Sequence, residues 1–186
     1  MILDRHIIFI GLRASGKTTQ ARALARFLGV DANDLDDRTR DALACPTAAP
    51  ESVGAAFTRV GEAQFRVAES AELRRALAQP AQVMALGGGT PMAPGARAML
   101  DEARQTRRAL IIFLDPPLEL LAQRLMRDEG ERPSLTGLGV VGEIEVIANL
   151  RRPLYAALAD LVLREEVSVE ALVSMVSSHC RNAAES

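Results

Sequence analysis

The stretch from His6 to Gly29 constrains the fold more than any other part of the chain. An apolar run, HIIFI, enters the turn GLRASGKT, which opens into TQARALARFL with apolar residues at helical spacing. That order describes a strand feeding a helix, and the pattern G-x-x-x-x-G-K-[ST] falls at Gly11, Gly16, Lys17 and Thr18. Glycines let the backbone amides close around phosphate oxygens, and the helix N-terminus adds positive potential. An ammonium at Lys17 reaches the terminal phosphates, and the Thr18 hydroxyl offers a ligand to Mg2+. Residues 11–19 therefore predict a nucleoside triphosphate site. Composition sharpens the point, because the 22 basic residues include a single lysine, Lys17. A codon bias toward arginine and alanine explains the scarcity of lysine but not the position of the one that remains.

Two further apolar runs, QVMAL at 82–86 and ALIIFL at 109–114, are short and continuous, as buried parallel strands are. Weaker strands are expected around 30–35 and 160–164. Helical periodicity covers 17–28, 61–79, 117–127, 141–159 and 168–180. Strands alternating with helices predict an α/β fold with a five-stranded parallel sheet. The 186 residues, 48% hydrophobic, fit one domain over 1–186. Segments 45–51 (CPTAAPE) and 128–139 (DEGERPSLTGLG) read as loops, the second long enough to move. A net charge of −2 and 3% aromatic residues argue against nucleic acid as a partner. Cys45 and Cys180 lie far apart without metal-ligand spacing, which predicts a reducing, cytoplasmic location. No apolar window is long enough to span a membrane and no secretory signal is evident.

Other candidates depend on their neighbours. Asp34-Leu35-Asp36 puts two carboxylates on alternate positions at the expected end of the second strand, both facing the phosphate site; the competing reading is a helix N-cap with first-turn acids. Arg66 and Glu69 are three apart, a spacing that usually decorates a solvated helix. The LGGGT turn at 86–90 directly follows a strand, where three glycines let a ligand approach the backbone. Asp115, after ALIIFL, is expected to cap the helix behind Asp-Pro-Pro. His6 and His179 lack partners at catalytic spacing. Arg132, in the loop 128–139, and Arg151, in RRPLY, stand where a planar fork suits carboxylate or phosphate.

Taken in order, GLRASGKTT, DLD, FTRVGEAQFRVAE, LGGGT, R-P and RRPLY resemble the shikimate kinase family. The resemblance implies a three-layer α/β sandwich of the P-loop kinase type, using ATP and Mg2+ to phosphorylate the 3-hydroxyl of shikimate. It implies that Gly11, Ala14, Ser15, Gly16, Lys17, Thr18 and Thr19 hold the nucleotide, that Arg124 lies near the adenine, and that Thr18 and Asp34 attend the metal. Asp36 would orient or deprotonate the attacking hydroxyl. Arg66 and Arg151 would pair with the substrate carboxylate, while Phe57, Phe65, Gly87, Gly88 and Gly89 line its pocket. Lys17, Asp36 and Arg132 would form the catalytic set, with Arg132 brought in by the lid, and a monomer is expected. Ala14 stands where the family carries glycine, and the span from Asp36 to Phe57 is longer than usual. The alternatives are a kinase for another small anionic polyol and a ligand-sensing domain of a transcription regulator. Retention of Asp36, Arg66 and Arg151 together favours the enzyme.

Overall fold

The computed structural model describes residues 3–45, 49–127 and 139–184. Five strands alternate with the helices: β1 (His6–Gly11), β2 (Ala32–Asp34), β3 (Val83–Ala85), β4 (Ala109–Leu114) and β5 (Leu161–Leu163). All pair in parallel, in the order β2-β3-β1-β4-β5. The longest strands, β1 and β4, are adjacent and buried along their whole length. This is why their sequences are continuous apolar runs rather than alternating ones.

Successive side chains of β1 separate the two faces. Ile7 and Phe9 pack with Leu24 and Ala25 of α1 (Lys17–Leu28) and with Leu172 and Val176 of α8 (Val169–Ala184). Ile8 and Ile10 pack on the opposite face, in a core with Leu35 of α2 (Leu35–Leu43), Leu73 of α4 (Glu62–Leu77) and Leu100 of α5 (Ala96–Gln105). Leu121 of α6 (Leu118–Arg127) and Tyr155 of α7 (Gly139–Leu158) complete that side. The result is the expected three-layer sandwich.

The longer span between Asp36 and Phe57 contains most of α2 and the start of α3 (Val53–Val60), followed at once by α4. Gly61 joins α3 to α4 at φ 79° and ψ 160°, a conformation reserved for glycine. The tight junction brings Phe57 edge-on to Phe65, with ring centroids 5.2 Å apart at 61°. Helix α5 went unread in the sequence because two of its three buried positions, Ala96 and Ala103, are alanines in an alanine-rich chain. Asp115 does not cap α6, which begins three residues later; its carboxylate instead accepts from Arg152 Nε at 2.7 Å. The expected lid, 128–139, lies outside the described residues except for Gly139, and Arg132 lies outside them entirely.

Candidate functional site

The turn between β1 and α1 forms one wall of a cleft of about 520 Å³ that also involves Arg124 and Arg127 of α6 and Glu165, Glu166 and Val167 beyond β5. Backbone conformation explains the glycines here. Gly11 takes φ +149°, and a Cβ on it would meet the Leu114 carbonyl at 2.5 Å and Ser15 Oγ at 2.8 Å. Gly16 takes φ 92° at the N-cap of α1 and offers no side chain to the helix amides, so they are left for an anion. Ala14 adopts φ 60°, the left-handed geometry that a glycine would take without strain. Its carbonyl is fixed by Arg124, whose NH1 donates to it at 3.1 Å.

Lys17 is almost fully buried, and its Nζ donates to the Leu12 carbonyl at 2.7 Å. Ser15 Oγ is buried without a partner, as expected of a cradle shaped for an acceptor-rich group. Thr18 Oγ1 donates to Asp34 Oδ2 at 2.7 Å. This hydroxyl and carboxylate pair presents the hard oxygen ligands that Mg2+ prefers. No group of three His, Cys, Asp or Glu gathers among the described residues, so most of the shell of such an ion would come from phosphate oxygens and water.

The two acids of DLD part company. Strand β2 ends at Asp34, whose Oδ1 accepts the Asp36 amide at 3.0 Å and caps α2, so Asp36 sits in the first helical turn rather than two strand positions on. Asp34 faces Thr18, whereas Asp36 joins a second recess with Arg13, Val53, Phe57, Phe65, Arg66, Glu69, Gly88, Gly89 and Arg151. The recess offers about 50 Å³ in this arrangement. Arg66 and Arg151 reach it from separate helices, α4 and α7.

Charge in this recess is tightly held. Arg66 NH1 donates to Glu69 Oε2 at 2.5 Å, Arg66 lies 5.7 Å from the Phe57 ring centroid, and Thr90 Oγ1 donates to Glu69 Oε1 at 2.7 Å. Burial pushes the Glu69 carboxyl up, and the Arg66 guanidinium and Thr90 hydroxyl only partly offset it. Sequence spacing suggested a solvated pair, but Glu69 is 1% exposed and Arg66 15%. Arg151 NH1 donates to the Gly88 carbonyl at 2.8 Å, and Tyr155 OH donates to the same oxygen.

The three glycines of LGGGT make room for the chain's own groups. A Cβ on Gly87 would overlap Asp36 Oδ1 and lie 2.8 Å from Glu69 Oε1; one on Gly89 would overlap the Arg66 guanidinium. One on Gly88 would meet the Arg13 amide nitrogen at 3.3 Å. Sequence reasoning assigned no site role to Arg13, Glu69, Thr90 or Tyr155. Glu69 and Tyr155 were detectable as i+3 and i+4 neighbours of Arg66 and Arg151 on one helix face. Arg13 and Thr90 carried no such signal.

The family model described as shikimate kinase matches residues 13–181. A shikimate kinase of Nitratidesulfovibrio vulgaris is 37% identical over 174 residues, spanning 92% of this chain and 93% of that protein. One from Rhodopirellula baltica is 32% identical over 186 residues, spanning 95% and 94%. Among solved structures, shikimate kinase from Acinetobacter baumannii in complex with shikimate superimposes with a TM-score of 0.79 at 27% identity, covering 94% of this chain and 93% of that one. With residues 14–20 lining one cleft and Asp36, Arg66 and Arg151 lining a second recess, this chain belongs to the shikimate kinase family.

Proposed function

We propose that this protein transfers the γ-phosphoryl group of ATP to the 3-hydroxyl of shikimate. The observation that carries this reading is the convergence of Asp36, Arg66 and Arg151 on a recess whose lining residue Arg13 directly precedes Ala14 of the phosphate cleft. An anionic ring acid with several hydroxyls needs that combination. Two guanidiniums bind its carboxylate, one carboxylate accepts from a ring hydroxyl, and Phe57 and Phe65 cover an apolar face.

Phosphoryl transfer asks the protein mainly to position reactants and stabilise charge. Asp36 orients the attacking hydroxyl and takes up its proton. Lys17, whose Nζ donates to the Leu12 carbonyl, turns to the charged phosphate oxygens. Thr18 and Asp34 would hold Mg2+, which when bound neutralises phosphate charge and aligns the oxygens. Arg124 borders the phosphate cleft and fixes the P-loop through the Ala14 carbonyl. Glu69, through its bond to Arg66, keeps that guanidinium turned toward the recess.

Free thiols at Cys45 and Cys180 support a reducing, cytoplasmic setting, and among the described residues no helix is long and apolar enough to cross a membrane. The direct test is ADP release with ATP, Mg2+ and a panel of shikimate, quinate and gluconate, with product identified by mass spectrometry. Shikimate-dependent release with a singly phosphorylated shikimate is expected. Turnover of another polyol with shikimate inert would reassign the acceptor, and no acceptor-dependent release would refute the kinase reading.

A further inference from the structure

The Gly88 carbonyl receives two donors from one face of α7. Arg151 and Tyr155 are one helical turn apart, so both side chains reach the same oxygen. A carbonyl has two lone pairs, and here both are used in a buried place. The two donors differ in freedom. Tyr155 is fully buried, its ring packed edge-on against Phe113 with centroids 5.3 Å apart at 67°. Burial also pushes its phenol up, which keeps the hydroxyl protonated and donating. Arg151 borders the recess, and its Nε is buried without any hydrogen-bond partner. An unpaired buried donor on a guanidinium is a group prepared for an anion.

Arg151, which borders the recess, is spent on the Gly88 carbonyl in this arrangement. When an acceptor carboxylate draws Arg151 away, the Gly88 carbonyl would be left buried and unpaired unless a second donor stayed behind. We propose that Tyr155 is that donor: a positioning residue whose hydroxyl secures the Gly88 carbonyl, so that Arg151 can be handed to the substrate carboxylate without stranding a buried acceptor. The proposal rests on the carboxylate-binding reading of Arg151 given above. It makes Tyr155 act through Arg151, with no contact to substrate required.

Tyr155→Phe retains the ring and the Phe113 contact and removes the hydroxyl, with its bond to the Gly88 carbonyl and its contact with Arg151. Without it, Arg151 is held more strongly on Gly88, so substrate binding is weakened. The shikimate KM is expected to rise about tenfold, the effect falling on KM rather than kcat, while the ATP KM moves less than about twofold on the same reasoning. The readout that a general loss of folding would not move is the ratio of kcat/KM for shikimate over its neutral methyl ester, measured within each variant. This ratio drops in Tyr155→Phe and in Arg151→Ala, and drops no further in the double variant. An unchanged ratio in Tyr155→Phe, equal rises in the KM values of ATP and shikimate, or additive losses in the double variant would each overturn the proposal. If Arg151→Ala itself leaves the ratio unchanged, the carboxylate-binding reading fails as well; if Arg151→Ala lowers it and Tyr155→Phe does not, only the role of Tyr155 fails.

Discussion

Substituting alanine at each glycine of the 87–89 turn in turn separates three roles that look identical in the sequence. Gly89 has φ −107° and ψ −13°, so alanine costs no backbone strain there, yet its Cβ would occupy the space of the Arg66 guanidinium. Arg66 must swing out and release Glu69, which is 1% exposed and would keep only the Thr90 hydroxyl. A hydrogen bond to a charged partner contributes about 1.5–3 kcal/mol, so kcat/KM for shikimate should fall by roughly 10- to 150-fold, with ATP affinity spared. Gly87→Ala pushes Asp36 and Glu69 instead, so its loss should appear chiefly in kcat. Gly88→Ala crowds the Arg13 amide nitrogen at 3.3 Å and touches Arg13 Cγ and the Gly11 carbonyl at an ordinary 3.6 Å, which a shift of a few tenths of an ångström relieves, and should be the mildest of the three. Steady-state kinetics with each substrate varied, alongside thermal unfolding, provides the assay. A Gly89→Ala enzyme with wild-type shikimate kinetics, or Gly88→Ala as the most damaged of the set, would refute the assignment of these spaces.

Other expectations follow from single positions. Lys17→Ala should lower kcat by about 10²–10³-fold, as loss of a preorganised donor to transition-state charge does, and Lys17→Arg should not restore it, because the buried site shapes a compact ammonium rather than a planar fork. Ala14→Gly should raise the unfolding free energy by up to about 1 kcal/mol, since the φ of 60° strains alanine; a lowered urea midpoint would contradict it. His6 is buried at the start of β1, and burial holds its imidazole below the ordinary value of 6.5. The folded chain therefore binds that proton less readily than the unfolded one. The contribution of neutral His6 is fully present above pH 6.5 and is lost as pH falls through the lower folded value, a slope that His6→Gln should flatten in urea titrations.

What the sequence disclosed follows from the range of each signal. The P-loop and the long strands β1 and β4 were legible because local pattern and final environment agree: continuous apolar residues are buried on both faces, and the glycines satisfy conformations set within the turn itself. The placement of Asp36 was not, because one N-cap bond from Asp34 converts a strand alternation into a helical turn and sends the second acid to a different cavity. The depth of the Arg66 and Glu69 pair was also hidden. A spacing of three residues says that two charges meet, and only packing against Thr90 and the glycine turn says that they meet out of water. The same holds for Asp115, which is paired with Arg152 from a helix 37 positions further along the chain rather than with its own.

Arg66 and Arg151 are proposed to bind the carboxylate of an acceptor seated beside the P-loop that holds the phosphoryl donor. A crystal structure with ADP, Mg2+ and shikimate tests it most directly. The expected result is the shikimate carboxylate against the guanidiniums of Arg66 and Arg151, with its 3-hydroxyl beside Asp36 and directed toward the nucleotide cleft. Shikimate bound elsewhere, or seated with its carboxylate turned away from both arginines, would contradict it.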